Sequence, residues 1–137
     1  MGMTKRVLYI EDRPDNRGLV RRVLMAEGIE VIEAATADDG IALAAQHLPD
    51  LILMDVNMPG KDGLTATQEL RGNPVLEHIP IIALTANVMK GDRERTLEAG
   101  CDGYIPKPID VDKFPSEIMH YITKGRVSHE SKQSSSG

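Results

Sequence analysis

Five short apolar segments recur along the 137-residue chain, and stretches with helical periodicity separate them. The apolar segments cover residues 7–10, 29–34, 51–54, 79–84 and 103–106. The first, third and fourth are almost continuously apolar, which is typical of parallel strands that are covered on both faces. Glu30 and Glu33 interrupt the second segment, so the pattern favours an edge position for that strand. The pattern therefore predicts five strands in one sheet.

Capping and terminating residues mark the first three intervening segments as helices. Pro14 fits the first turn of a helix that ends at Gly28. Thr36 begins a sequence that resembles a capping box in front of residues 41–46. A third and shorter helix is predicted over residues 63–71.

Two further helices are predicted in the C-terminal half. Asn87 is a suitable cap for a helix over residues 88–99, which stops at the glycine that follows. Asp110 or Asp112 is expected to cap the last helix. Because an interior proline costs roughly 3 kcal/mol, we expect that helix to start late, with Pro115 in its first turn.

The alternation of strands and helices predicts an α/β fold with a parallel sheet. Right-handed crossovers place the carboxyl ends of all five strands at one edge. A doubly wound, flavodoxin-like sheet in the order 2-1-3-4-5 with five helices is the natural solution. The length suits one domain, which we expect over residues 4–124. The polar composition of residues 125–137 predicts a disordered tail.

Composition narrows the classes of function. Aromatic residues make up only 3% of the chain, so the core must be aliphatic. The net charge is −5 and no dense Lys/Arg cluster appears, which argues against nucleic-acid binding. No segment approaches the roughly 20 apolar residues of a membrane span, and the N-terminus lacks the apolar stretch of a secretory signal. Cys101 is the single cysteine, which excludes an intramolecular disulfide. We therefore expect a soluble, cytoplasmic protein that binds neither nucleic acid nor membrane.

Polar side chains stand where the predicted strands end. Glu11 and Asp12 follow the first strand, Asp55 the third, Thr85 the fourth and Lys107 the fifth. Because these ends share one edge of the sheet, we expect three carboxylates, a hydroxyl and an ammonium group to meet there. That set suits a divalent cation and a phosphoryl group.

The carboxylates indicate a cation site. Two carboxylates about 4 Å apart repel by roughly 4 kcal/mol at an effective dielectric constant of 20, and a bound cation offsets that repulsion. Mg²⁺, or Mn²⁺, prefers such oxygen ligands. We expect Asp12, Asp55 and the backbone carbonyl of Asn57 to be the protein ligands, with Glu11 acting through a bound water.

Asp55 is also the expected nucleophile, because a carboxylate can attack a phosphoryl group and form an aspartyl-phosphate. Lys107 offers a compact positive charge to the phosphoryl oxygens, while the Thr85 hydroxyl and the backbone N–H of Ala86 offer hydrogen bonds. Each residue also has a plain structural interpretation. Asp12 and Thr85 can cap helices, Asp55 can start a turn, and Lys107 can be a solvated surface lysine.

Together these residues resemble the receiver domain of two-component response regulators. The matching elements are Glu11-Asp12, Asp55 followed by Met58-Pro59-Gly60 and Asp62-Gly63, Thr85-Ala86, and Lys107-Pro108. The resemblance covers residues 4–124, and residues 78–107 look like stand-alone receivers of the cell-division type. That stretch also resembles receiver modules attached to hybrid histidine kinases. Glu11 departs from the Asp that is usual at the first acidic position, a variant expected to spare metal binding.

The resemblance implies a phosphorylation-gated signalling domain rather than an enzyme. Asp55 would accept a phosphoryl group from a histidine kinase or a histidine phosphotransfer protein, and the chain would phosphorylate and dephosphorylate itself with Mg²⁺. Thr85 would move toward the phosphate and Tyr104 would rotate inward with it. The face formed by the fourth helix, fifth strand and fifth helix would then bind a downstream protein differently. The bond before Pro108 would be cis.

Other interpretations remain open on the residues alone. An aspartate-nucleophile phosphatase of the haloacid dehalogenase type needs a general acid two residues after its nucleophile, where this chain has Asn57. A flavodoxin-like cofactor binder would repel its anionic ligand at Glu11-Asp12. A receiver that only binds partners would not need the full set of site residues. Within the receiver class, the chain is either a binding switch or a phosphorelay shuttle and phosphate sink.

Overall fold

Five parallel strands form one sheet in the computed structural model of the chain, which describes residues 4–56, 63–86 and 90–125. The strands are β1 (Arg6–Ile10), β2 (Glu30–Ala34), β3 (Leu51–Asp55), β4 (Ile81–Thr85) and β5 (Gly103–Pro106). Their order is β2-β1-β3-β4-β5, and every neighbouring pair is parallel. The predicted order and direction are confirmed.

Five α-helices connect and cover the strands. They are α1 (Pro14–Met25), α2 (Ala37–His47), α3 (Gly63–Arg71), α4 (Lys90–Glu98) and α5 (Phe114–Lys124). A one-turn 3-10 helix, Pro74–Leu76, follows α3 and was not predicted. None of the helices in the described ranges is long and apolar enough to span a bilayer.

Local sequence chemistry explains where α1 and α2 begin. Pro14 opens α1, and the Thr36 side chain accepts a hydrogen bond from the Asp39 N–H at 3.1 Å, as a capping box requires. α2 therefore begins several residues before the predicted 41–46 segment. Asn87, the expected cap of α4, lies outside the described residues.

The prediction that Asp110 or Asp112 caps α5 was wrong. The N-cap position is occupied by Lys113. Asp110 instead builds the turn before the helix, because its carboxylate accepts the Asp112 N–H at 3.1 Å and its carbonyl accepts the Phe114 N–H at 2.9 Å. Pro115 lies in the first turn of α5, as expected, where its missing N–H costs nothing.

The apolar segment over residues 79–84 starts before the strand that it contains, because β4 begins at Ile81. Ile79 donates its N–H to the Leu76 carbonyl at 3.1 Å and so belongs to the turn after the 3-10 helix. Pro80 has no N–H to add to the sheet, although its carbonyl accepts a hydrogen bond from Ile52 at 2.9 Å.

Both faces of the sheet are buried, as the continuous apolar segments predicted. Alternate residues of the central strands point to opposite faces, so each strand contributes side chains to a core on either face of the sheet. One core contains Leu8, Ile10, Ile52, Met54, Ile81 and Ala83. The other contains Val7, Tyr9, Leu51, Leu53, Ile82 and Leu84. This packing fixes the strands so that their carboxyl ends form one defined edge.

Arg71, at the end of α3, forms hydrogen bonds with the segments that lead into β4 and β5. Its guanidinium donates to the carbonyls of Gly100 at 2.9 Å and Ile79 at 2.8 Å, and to Oδ2 of Asp102 at 2.6 Å. The same Asp102 oxygen accepts the Ile81 N–H at 3.0 Å. The Asp102 side chain is fully buried and the Arg71 side chain keeps 13% of its surface exposed, so this ion pair is largely shielded from water.

Candidate functional site

An acidic cluster lies at the carboxyl edge of the two central strands. One carboxylate oxygen each from Glu11, Asp12 and Asp55 falls within 4.8 Å of the others. The register of the two strands explains why these carboxylates lie close together. Ile10 of β1 pairs with Met54 of β3, and the residue that follows each of them is acidic. Parallel pairing thus brings together groups that are more than 40 residues apart, as the sequence predicted.

Asp55 is the last residue of β3 and is 2% exposed. Lys107, from the loop after β5, donates its Nζ to Oδ1 of Asp55 at 2.9 Å. The lysine side chain keeps only 24% of its surface exposed, so the pair is shielded from water. An ammonium group in this position offsets part of the repulsion among the three carboxylates.

Thr85 and the Lys107 backbone come together at the neighbouring strand end. Thr85 ends β4, is buried, and accepts the Lys107 N–H on its carbonyl at 2.8 Å. Ala86 follows it and is exposed, and both Ala86 and Lys107 line a cavity of about 370 Å³ beside the acidic cluster. The peptide bond between Lys107 and Pro108 is cis.

Glu11 is fully buried, and both of its carboxylate oxygens have donors. Oε1 accepts the hydroxyl of Tyr9 at 3.0 Å, and Oε2 accepts the backbone N–H of Arg13 at 3.1 Å. Burial raises the pKa of Glu11, and the nearby charge of Asp55 adds to the effect. Burial likewise raises the pKa of Tyr9, so the phenol stays protonated and acts as the donor.

Sequence reasoning missed Tyr9 and Arg17. Tyr9 was assigned to the first apolar strand, yet the two-residue period of a strand puts its hydroxyl on the same face as Glu11. Arg17 of α1 donates to the Glu11 carbonyl at 2.8 Å and to Oε1 of Glu33 at 3.2 Å. It therefore links α1 and β2 to the end of β1. A polar aromatic residue two positions before an acid was the available signal for Tyr9.

The remaining predicted residues lie away from the cluster or outside the described ranges. Tyr104 is half-buried in β5, pairs with Ala83 and packs against the core that contains Leu8 and Ile10. It lies on the strand next to Thr85, two residue pairs before the pair that ends the strands. Asn57 lies outside the described residues.

The donor set fits a hard divalent cation. Carboxylate oxygens are the ligands that Mg²⁺ uses in proteins, typically one or two of them together with water and phosphate oxygens. Two of the three acidic residues are buried, where mutual repulsion is hardest to screen. The residues that would hold such a cation are Glu11, Asp12 and Asp55, and the Lys107 ammonium group stands beside the last of them.

Comparisons with known proteins agree with this geometry. The family model for the response regulator receiver domain matches residues 7–119. Polar-differentiation response regulators named DivK, from Brucella ovis and Brucella melitensis, are 44% identical over 120 residues, which covers 88% of this chain and 98% of each relative.

Solved structures give the same result. The receiver domain of a sensor histidine kinase from Pseudomonas aeruginosa PAO1, described with a magnesium ion coordinated in its active site cleft, is 34% identical with a TM-score of 0.81. The alignment covers 88% of this chain and 99% of that receiver domain. The chemotaxis protein CheY4 of Vibrio cholerae is 25% identical with a TM-score of 0.82, covering 86% and 98%. With the fold, the acidic edge and these matches in agreement, the chain belongs to the response regulator receiver domain family.

Proposed function

We propose that Asp55 accepts a phosphoryl group from the phosphohistidine of a histidine kinase or a histidine phosphotransfer protein, and that this modification changes how the chain binds a partner. The observation that carries the proposal is the Asp55 carboxylate at the tip of β3, with Lys107 at 2.9 Å and two further acidic residues beside it. An aspartate held in this way stands at the edge of the sheet that an incoming anion would reach, and the buried strand fixes its direction.

In the proposed step, a carboxylate oxygen of Asp55 attacks phosphorus and forms an acyl phosphate. The bond between phosphorus and the donor imidazole breaks, and its electron pair returns to the imidazole nitrogen. We assign Asp12, Asp55 and the Asn57 carbonyl as ligands of Mg²⁺, with Glu11 acting through a water. The ion would neutralise charge on the phosphoryl oxygens while the phosphoryl group is transferred.

Lys107, Thr85 and the Ala86 N–H are the proposed partners of the new phosphate. Phosphorylation adds about −1.5 to −2 charges at the strand edge, and the added oxygens need donors. Lys107 already reaches Asp55, so it exchanges a carboxylate oxygen for a phosphoryl oxygen with little movement. Thr85 hydrogen-bonds Lys107 through its backbone and lies on the strand next to β5.

The proposed output is a population shift on the face made by α4, β5 and α5. Movement of the Thr85 side chain toward the phosphate makes room for Tyr104, which is half-buried on the adjacent strand. Coupling of this kind typically amounts to about 1–3 kcal/mol. A downstream protein that contacts this face then binds the two states with different affinity.

Membership of the receiver family argues against the phosphatase and the flavodoxin-like cofactor binder. The acidic edge supports phosphorylation over a receiver that only binds partners, since repulsion among three carboxylates serves no purpose in simple docking. Switch and shuttle share the same site chemistry. Stable binding of the phosphorylated chain to a target indicates a switch, whereas rapid return of the phosphoryl group to a histidine domain indicates a shuttle.

The test is incubation with Mg²⁺ and acetyl phosphate, followed by measurement of the intact mass. We expect one added phosphoryl group on the wild type and none on Asp55→Asn or after chelation of the metal. Glu27→Gln is a matched control, because it removes an exposed carboxylate at the opposite edge of the sheet and should leave phosphorylation unchanged. Phosphorylation of Asp55→Asn would contradict the assignment.

A further inference from the structure

Tyr9 places a hydroxyl among the aliphatic residues Val7, Leu8 and Ile10 of β1. Its ring is fully buried in the core that contains Val7 and Leu53. Phenylalanine would fill the same volume without a polar atom to satisfy, so packing accounts for the ring but not for the hydroxyl. The hydroxyl has one described partner, Oε1 of Glu11 at 3.0 Å.

Glu11 is held from two directions. The Tyr9 hydroxyl approaches one carboxylate oxygen from inside the core, and the Arg13 N–H approaches the other from the loop that leads into α1. Arg17 also holds the Glu11 backbone, through a hydrogen bond of 2.8 Å to its carbonyl. The carboxylate is therefore fixed in both position and orientation by groups of this chain alone.

We propose that Tyr9 is a positioning residue for the cation site, whose hydroxyl holds the Glu11 carboxylate beside Asp12 and Asp55 before the cation binds. The inference deepens the proposed function and rests on it, because it assigns a residue that supports the Mg²⁺ site. Within the described residues, Tyr9 hydrogen-bonds to the cluster only through Glu11, and we assign it no part in the transfer of the phosphoryl group.

Repulsion within the cluster is the reason a positioning group is needed. Three carboxylates whose oxygens lie within 4.8 Å of one another push apart unless directed donors restrain them. Without the Tyr9 hydroxyl, Glu11 keeps a single donor and its carboxylate is free to turn about that contact. Binding of the cation would then have to order carboxylate oxygens that are already ordered in the wild type. Hydrogen-bonding partners of metal ligands typically contribute 10–100-fold to metal affinity.

The expected effect of Tyr9→Phe is a loss of about tenfold in Mg²⁺ affinity, at the lower end of that range because Glu11 is assigned to act through water. Isothermal titration calorimetry with Mg²⁺ alone measures it on the unphosphorylated protein. Tyr121→Phe is the matched control. It removes a hydroxyl from α5 near Gly103, at the opposite end of the sheet from the acidic cluster, and should leave the affinity unchanged.

A double-mutant cycle separates positioning from a general effect on the core. Glu11→Asp shortens the side chain and withdraws its carboxylate from Tyr9. In that background, Tyr9→Phe should change Mg²⁺ affinity by less than twofold. An equal loss in both backgrounds, or an affinity of the single variant within twofold of wild type, would overturn the inference.

A measurement on the unchanged protein covers the case in which the variant is poorly folded. The buried Tyr9 hydroxyl proton should exchange slowly enough to be observed by NMR, and its chemical shift should change on addition of Mg²⁺. An unchanged chemical shift of that proton at saturating Mg²⁺ would contradict the role of Tyr9. If the wild type binds no Mg²⁺ and gains no phosphoryl group, both the positioning role of Tyr9 and the proposed function are rejected. If the wild type binds Mg²⁺ and is phosphorylated but the Tyr9 hydroxyl proton does not respond to Mg²⁺, only the positioning role is rejected.

Discussion

Lys107 Nζ lies 2.9 Å from Oδ1 of Asp55, although the two residues are 52 positions apart in the chain. The ammonium group therefore already stands beside the carboxylate that we assign as phosphoacceptor. A phosphoryl group on Asp55 would bring its own oxygens to the same ammonium group. This relationship connects the chemistry at β3 to the loop after β5, and through it to the face we assign to partner binding.

Lys107→Ala should retain phosphorylation of Asp55 and lose the structural response to it. The reason is that Lys107 is the group which links the modified residue to β5. Two-dimensional NMR of the backbone amides measures the response. We expect the Tyr104 amide to shift on phosphorylation of the wild type and to stay in place in Lys107→Ala, a loss of about 1–3 kcal/mol of coupling.

Lys124→Ala serves as the control for that experiment, because it removes an exposed lysine from the end of α5 and should preserve the response. A full Tyr104 shift in Lys107→Ala would show that coupling does not pass through the lysine.

Asp102→Ala should destabilise the fold by about 3 kcal/mol, the lower end of the effect of breaking a buried ion pair. The change leaves the largely buried Arg71 guanidinium without its counter-charge and removes the acceptor of the Ile81 N–H. Urea denaturation gives the free energy of unfolding. Asp15→Ala, on the exposed start of α1, should change that free energy by no more than about 0.5 kcal/mol. Equal stability of the two variants would contradict the role assigned to the Arg71–Asp102 pair.

The strand pattern was sufficient to predict the sheet and the acidic edge, because both follow from local periodicity and from parallel pairing. Apolar segments gave the strands, and the rule that parallel carboxyl ends share an edge brought Glu11, Asp12 and Asp55 together. The N-cap residue Thr36 and the first helical residue Pro14 mark helix starts in the same local way.

What the sequence did not predict depends on contacts between distant residues or on competition between neighbours. Arg71 reaches the Gly100 carbonyl 29 positions away, and no periodicity encodes that contact. Asp110 offered a plausible cap for α5 but makes a turn with Asp112 instead. Tyr9 was hidden by the apolar strand around it, because a pattern of hydrophobic positions does not register a single hydroxyl.

Gly63→Ala should weaken both the fold and the site. A Cβ at this position would lie 2.6 Å from the Val56 Cα and 2.7 Å from the Asp55 carbonyl oxygen, which are backbone atoms of the last residue of β3 and of the residue after it. Relieving that overlap requires movement of the segment that carries the phosphoacceptor, so we expect a loss of about 1–3 kcal/mol in stability and slower phosphorylation by acetyl phosphate. Urea denaturation and the rate of mass increase measure the two effects.

Gly18→Ala provides a control of opposite sign in the interior of α1. The added Cβ meets only Nη1 of Arg22, at an ordinary 3.6 Å, and alanine is the better helix former by about 0.5–1 kcal/mol. Unimpaired phosphorylation in Gly63→Ala would mean that the backbone behind Asp55 tolerates displacement.

Glu11 should make the stability of the metal-free protein fall as the pH rises. Burial raises the pKa of its carboxyl in the folded chain above the unfolded value, so the folded state holds more protons between the two pKa values. The contribution of Glu11 is therefore fully present below its ordinary pKa of about 4.3 and is lost as the pH rises through its folded pKa.

Urea denaturation in the presence of a chelator, at a series of pH values upward from 4, tests this dependence. The free energy of unfolding should decline with pH more steeply for the wild type than for Glu11→Gln, whose side chain does not titrate. Saturating Mg²⁺ should reduce the difference, because the cation favours the ionised carboxylates that burial disfavours. Parallel pH profiles of the two proteins in chelator would show that Glu11 is ionised as readily in the folded chain as in the unfolded one, and that its burial at the end of β1 carries no electrostatic cost.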